Sequence, residues 1–125
     1  MKTDIQHKSD IVKLVDEFYG RVLKDEVIKE FFADLDFEHH KPKMIHFWSF
    51  VLLDEEGYTT NVFDKHTHMA LKGEHFDRWL VLFESTVDDL FEGEKATMAK
   101  FRAKTIGWTF KEKFRKRNEE LDQMS

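Results

Sequence analysis

Apolar residues recur along most of the chain at intervals of three and four, the period of helices with one buried face. From about Ser9 to Leu23, Ile11, Leu14, Val15, Phe18 and Val22 share such a face and Tyr19 borders it. Ser9 or Asp10 is the expected cap, since short polar side chains accept from the free N–H groups of a first turn. A short helix is predicted over about Glu26 to Ala33, with Val27, Phe31 and Phe32 apolar, and Asp34 to Phe37 breaks it. A longer one follows from about Glu38 to Leu53, with Met44, Phe47, Trp48 and Val51 as its stripe. Pro42 is expected in its first turn, where no intrahelical N–H is needed.

Asp54 to Asn61 reads as a loop, and Val62 to Met69 is too short to stand as an isolated helix without neighbours to hold it. The clearest pattern is Glu74 to Phe91, where Phe76, Trp79, Leu80, Phe83, Val87, Leu90 and Phe91 keep the period. A last helix over about Glu94 to Arg117 presents Met98, Phe101, Ile106, Phe110 and Phe114; Gly107 inside it suggests close packing. No strands are predicted, so the fold class is all-α, in a single domain over residues 1–125.

Composition narrows the function classes. The chain of 125 residues holds 13 phenylalanines, one proline and no cysteine, which excludes disulfides, thiolate zinc sites, iron–sulfur clusters and thiol nucleophiles. Net charge is −5 with its cations spread along the chain, so nucleic acid is not the expected partner. No apolar run is long enough to span a membrane, and no signal peptide is expected behind Lys2, which together favour a cytoplasmic protein. Lys111 to Arg117 alternates charges around Phe114 and reads as a solvated final turn, with a docking role as the sharper alternative.

Candidate chemistry lies in a scattered set of residues. A Phe-Tyr pair, Phe18-Tyr19, ends the first apolar face. His40 precedes Trp48 of the Phe47-Trp48 pair by eight positions, and Tyr58 precedes His66 by the same interval. Phe76-Asp77-Arg78-Trp79-Leu80-Val81-Leu82-Phe83 then opens the next helix. Taken one by one, each aromatic reads equally well as core and each histidine as a satisfied surface or core residue. In this order and at this spacing, from about Ile11 to Phe110, they resemble the group III truncated haemoglobins.

The resemblance implies a globin-like, truncated 2-over-2 helical sandwich and a haem b cofactor. It makes His66 the iron ligand, since haem iron takes an axial imidazole in globins. Phe32, Phe47, Trp48, Phe63 and Phe83 become walls for the porphyrin, and Lys65 and Arg78 become cations that could meet its propionates. Tyr19 and Trp79 become hydrogen-bond donors to a bound gas, each with an apolar body and one polar tip, and His40 a distal gate. The expected partners are dioxygen, nitric oxide and carbon monoxide, with an unidentified reductase, and the expected state is a monomer. The implied activity is gas binding, extended by the resemblance to nitric oxide dioxygenation or peroxide redox chemistry. A non-catalytic gas sensor or oxygen-delivery module is the alternative.

Some positions stay open. His68 forms His66-Thr67-His68 with the proximal candidate and is the next choice of ligand. The stretch Thr67 to Gly73 lacks the proline found in many relatives of the family, which loosens the expected placement of His66. A helical protein without haem that uses His39, His40, His66 or His68 for a metal is a third reading. His46 lies six positions after His40, on another helix face, and His7 and His75 are expected at the surface.

Overall fold

The computed structural model describes residues 2–33, 36–56 and 73–124, and within 114–124 the side chains of Arg115, Lys116 and Glu119. The segment Val62 to Met69, with Phe63, Lys65, His66 and His68, and the neighbouring Tyr58 lie outside the described residues. All regular structure among the described residues is helical: α1 (Lys8–Val22), α2 (Lys29–Phe32), α3 (Phe37–Leu53), α4 (Gly73–Leu90) and α5 (Glu94–Met124). Helix α1 packs on α3 and α4, α3 also meets α5, and α4 with α5 is the most extensive pair. The result is two helix pairs laid across each other, with the core where they cross.

The predicted face of α1 is the buried one: Ile11, Leu14, Val15, Phe18, Tyr19 and Val22 are all in the core. Its start differs from the expected cap. His7 is the N-cap, and Asp10 acts from the third helical position, its carboxylate accepting the N–H groups of Gln6 and His7 at 2.9 and 3.0 Å.

Helix α3 begins one residue before the predicted start, on an Asp36 cap, and Pro42 lies in its second turn rather than its first. The proline leaves the carbonyl one turn earlier without its helical donor, a defect worth about 3 kcal/mol in an ordinary interior. The core face of α3 is Trp48, Ser49 and Leu52; Met44, Phe47 and Val51 are half-buried. The helix is apolar on so many sides that periodicity could not choose which face goes inward.

Helix α5 departs most from expectation. Phe101 is 66% exposed and Met98 40%, while the buried positions are Ala96, Ala99, Ala103, Gly107 and Phe110. Small residues let the α5 backbone approach α4 and α3 closely, so its buried face is the one with the least apolar bulk. A Cβ on Gly107 would stand 3.9 Å from the Trp79 ring, an ordinary van der Waals distance. Trp79 therefore packs over Gly107 without requiring a glycine there. The helix also runs to Met124, beyond the predicted end at Arg117.

A long-range tie closes the molecule. The Asp4 carboxylate accepts the N–H groups of Lys95 and Ala96, both at 2.9 Å, so it caps the free first turn of α5. Burial opposes ionisation of Asp4, but these two N–H groups and that of Ile5 outweigh it and hold the carboxyl below its ordinary range. Gly93, just before the helix, has φ +144°, and a Cβ there would fall 2.5 Å from Asp4 Cγ; this is a position that glycine alone fits.

Candidate functional site

The helices line an apolar cleft with about 650 Å³ of space between its walls, its open mouth included. Helix α1 brings Tyr19 to it, α2 and the turn before it Phe32 and Ile28, and α3 Met44, Phe47 and Trp48. Helix α4 brings His75, Phe76 and Trp79, and α5 supplies Ile106, Gly107 and Phe110.

Tyr19 is 5% exposed, wrapped by the rings of Phe18, Phe32 and Phe37. Its hydroxyl lies 2.6 Å from His40 Nε2, a hydrogen bond in which the phenol donates when that nitrogen carries no proton. Burial pushes the Tyr19 pKa well up, so the phenol stays a neutral donor. His40 is half-buried near the start of α3.

Trp48 and Trp79 both line the cleft, and both stack on Phe83, at centroid distances of 4.8 and 5.7 Å. Phe83 itself is 1% exposed and is not part of the lining. The structure thus places it behind the wall, as backing for two tryptophans, rather than at the surface where a porphyrin would touch it. The helical period brought Phe83 and Trp79 to one side of α4 but could not say which stands in front.

Arg78, considered for a propionate, donates Nε and Nη2 to Asp25 Oδ2 at 2.7 and 2.6 Å. Asp25 is buried, and the Arg78 guanidinium, with the Val27 N–H, holds its carboxyl below the usual range against the opposing effect of burial. The pair ties α4 to the turn before α2, and so to the neighbourhood of the lining residue Ile28.

His75, expected at the surface, lines the cleft instead, its side chain only 12% exposed. Its ring lies 4.4 Å from that of Phe31. The signal was available: His75 stands four positions before Trp79, one turn away on the same side of α4. Met44 and Phe110 were likewise read as core stripe rather than as lining.

The cleft therefore unites Tyr19, Phe32, Phe47, Trp48 and Trp79 of the predicted set, with His40 hydrogen-bonded to Tyr19. Lys65, His66 and Phe63 fall outside the described residues. Among the described residues no group of three or more His, Asp or Glu could hold a bare metal ion. The chemistry of the lining suits a flat apolar group bearing a few polar atoms, and porphyrin is such a group. Its iron would need a single protein ligand.

These features define a helical protein with an aromatic-lined apolar cleft between its described helices, and comparison with known proteins gives the class. The sequence profile of the bacterial-like globins matches residues 4–106. The chain is 30% identical over 117 residues to the group 3 truncated hemoglobin ctb of Campylobacter jejuni, covering 88% of this chain and 92% of that protein. A crystal structure of a group III truncated hemoglobin from Campylobacter jejuni superposes with a TM-score of 0.80 at 29% identity, over 91% of this chain and 95% of the other. The truncated hemoglobin of Tetrahymena pyriformis (a point mutant in its Fe(III) form) shares the fold at 22% identity, with a TM-score of 0.69 over 82% and 88% of the two chains.

The chain belongs to the bacterial-like globins and, within them, to the group III truncated haemoglobins. Membership implies a haem cofactor and the binding of diatomic gases. Among the described residues no helix is long and apolar enough to cross a membrane.

Proposed function

We propose that this globin holds haem b through His66 and uses Tyr19 and Trp79 to retain bound dioxygen for redox chemistry, above all nitric oxide dioxygenation. The observation that carries the reading is the Tyr19 hydroxyl, buried on an apolar cleft that Trp79 also lines and hydrogen-bonded to His40. Ferrous haem, when bound, supplies the gas-binding site. Phe32, Phe47, Trp48 and Phe63 cover the macrocycle, and Phe83 backs Trp48 and Trp79. Lys65 is the lysine proposed for a propionate.

Gas held at such a site gathers partial negative charge, and a dry donor stabilises it far more than a solvated one. Tyr19 offers its O–H there once His40 turns away, and Trp79 offers its indole N–H. None of the hydrogen bonds among the described residues uses the Trp79 N–H. Two donors favour slow release, which suits turnover better than transport. The overall conversion joins nitric oxide, dioxygen and one electron into nitrate, so a reductase must deliver the electron to the cytoplasmic protein, which is proposed to act as a monomer.

Absorption spectra of the haem-loaded chain in ferric, reduced and carbon-monoxide forms, beside His66→Ala, test the ligand. A Soret band that shifts with carbon monoxide and an iron signature altered in the variant are expected. An unaltered signature would move the ligand, with His68 next. Nitric oxide consumption by the oxygenated protein tests the chemistry: consumption slowed in Tyr19→Phe and Trp79→Phe is expected. Slow oxygen loss without nitric oxide consumption would leave a sensor or delivery module.

A further inference from the structure

We propose that the outward face of α5 docks on an anionic lipid bilayer, the helix lying flat with Phe101 and Trp108 at the level of the headgroups. The inference goes beyond the gas chemistry above and does not depend on haem.

Lysine and arginine occur throughout the chain, but acids are nearly missing from one stretch of it. From Lys95 to Arg117 there are nine cations and one acid, Glu112, a net charge of +8; against a chain total of −5 this leaves −13 on the rest. The whole basic stretch belongs to one continuous helix, α5.

The inner face of α5 is built from Ala96, Ala99, Ala103, Gly107 and Phe110. At about 100° per residue, the opposite side carries Met98, Phe101, Thr105 and Trp108, spaced by three and four. Met98 is 40% exposed, Phe101 66% and Trp108 65%. This apolar line runs along the solvent side for about 15 Å, at a rise of about 1.5 Å per residue. Arg102 and Lys104, both exposed, stand on its two margins. Glu112 lies at the end of the line and is paired with Arg115, Nη2 to Oε2 at 3.0 Å.

A bilayer surface offers anionic headgroups with an apolar layer just beneath them, the same two chemistries in the same order as this face. Trp108 suits that boundary, with an apolar ring body and one N–H for the headgroups. A single exposed helix is a convex ridge, and lipid yields to a ridge where a folded protein would need a groove. A second copy of α5 laid on this face would set Arg102 and Lys104 against their own kind, like charge on like. The negative remainder of the molecule is repelled by the same headgroups, so charge segregation also orients the docked protein. Binding of this kind is peripheral and reversible, with the helix lying on the membrane rather than crossing it.

The experiment titrates the full-length protein with vesicles of equal parts phosphatidylcholine and phosphatidylglycerol, and with vesicles of phosphatidylcholine alone. Co-sedimentation reports binding and tryptophan emission reports entry into the headgroup layer. Binding to the anionic vesicles is expected, weakened by salt, with a blue shift that Trp108→Phe abolishes and little binding to the neutral vesicles. Arg102→Glu with Lys104→Glu is expected to lose about thirtyfold in affinity, the scale of two cations at an anionic surface. Lys13→Glu with Lys24→Glu makes the same change of net charge at exposed positions on another part of the chain, and is expected to stay within about threefold of wild type. Phe101→Ser with Trp108→Ser is expected to lose about tenfold.

Wild-type protein that ignored the anionic vesicles would overturn the proposal. Equal losses in the two charge-reversed pairs would reduce the attraction to net charge and overturn it too, as would unchanged binding in the serine pair. Tighter binding to single-stranded polyuridylate than to vesicles would give the face to nucleic acid. A dimer of the protein alone, dissociated by the serine pair in sedimentation, would give it to a second copy. Either result sinks the bilayer reading. The substituted positions are all exposed, so folding is expected to survive. If thermal unfolding shows otherwise for the serine pair, Phe101→Gln with Trp108→Gln takes its place under the same criteria.

Discussion

The Tyr19 hydroxyl and His40 Nε2 are 2.6 Å apart, joining the end of α1 to the start of α3, with their rings 5.2 Å apart at 77°. On the proposed function one donor has two claimants: the imidazole in this arrangement and, in the haem-loaded protein, a bound gas. Tyr19→Phe keeps the ring among Phe32 and Phe37 and removes the hydroxyl. Oxygen release from the ferrous protein is expected to accelerate roughly tenfold, as for loss of one hydrogen bond of about 1–1.5 kcal/mol. Stopped-flow displacement of oxygen by carbon monoxide measures it.

The Arg78–Asp25 pair predicts a pH dependence. The carboxyl of Asp25 titrates lower in the folded chain than in the unfolded one, chiefly because of Arg78. Its contribution is therefore complete above the unfolded value of about 3.9 and is lost as pH falls through the lower folded value. Asp25→Asn is expected to lower stability at neutral pH by about 1–2 kcal/mol, a figure discounted because Arg78 is 42% exposed. Urea midpoints of the two proteins are expected to approach each other as pH falls below about 3.9, and to converge only once pH has passed through the lower native value.

Asp4 is expected to matter out of proportion to its place near the start of the chain. Asp4→Ala removes the cap on α5 and costs about 1 kcal/mol, within a range of about 0.5–2. Gly93→Ala forces a side chain into positive φ and against the Asp4 carboxylate, and is expected to destabilise by about 1–3 kcal/mol. Thermal unfolding of the apoprotein reports both changes without interference from cofactor.

Gly107→Ala works in the opposite direction. The new Cβ meets only the Trp79 ring at ordinary contact distance, and a helix interior favours alanine over glycine by about 1 kcal/mol. The urea midpoint of the apoprotein is expected to rise.

Sequence and structure agree where one face of a helix is clearly the most apolar. On α1 the period picks out Ile11, Leu14, Val15, Phe18 and Val22, and the same residues are buried. On α5 the rule finds Phe110 and Ile106 but misplaces Met98 and Phe101, because Ala99, Ala103 and Gly107 face inward through their smallness while Phe101 stands 66% exposed. Pro42 was tied to the first turn by its missing N–H, yet the Asp36 cap starts α3 earlier and leaves the proline deeper in the helix. In the cleft, residue type and order brought out Tyr19, Phe47, Trp48 and Trp79, but depth is not a property of spacing. It took the packing to put Phe83 behind the tryptophans and His75 in front.

The cap on α5 comes from a residue 91 positions earlier than the first N–H it accepts. Bringing those positions together closes most of the chain into a loop, an entropy cost that is offset only once much of the packing between the helices exists. The Asp4 contact is therefore expected to form late in folding, with little of it present in the transition state. Such a contact leaves the rate of folding nearly alone and slows the rate of escape, so the first few residues serve as a latch that sets how long the native globin lasts once formed.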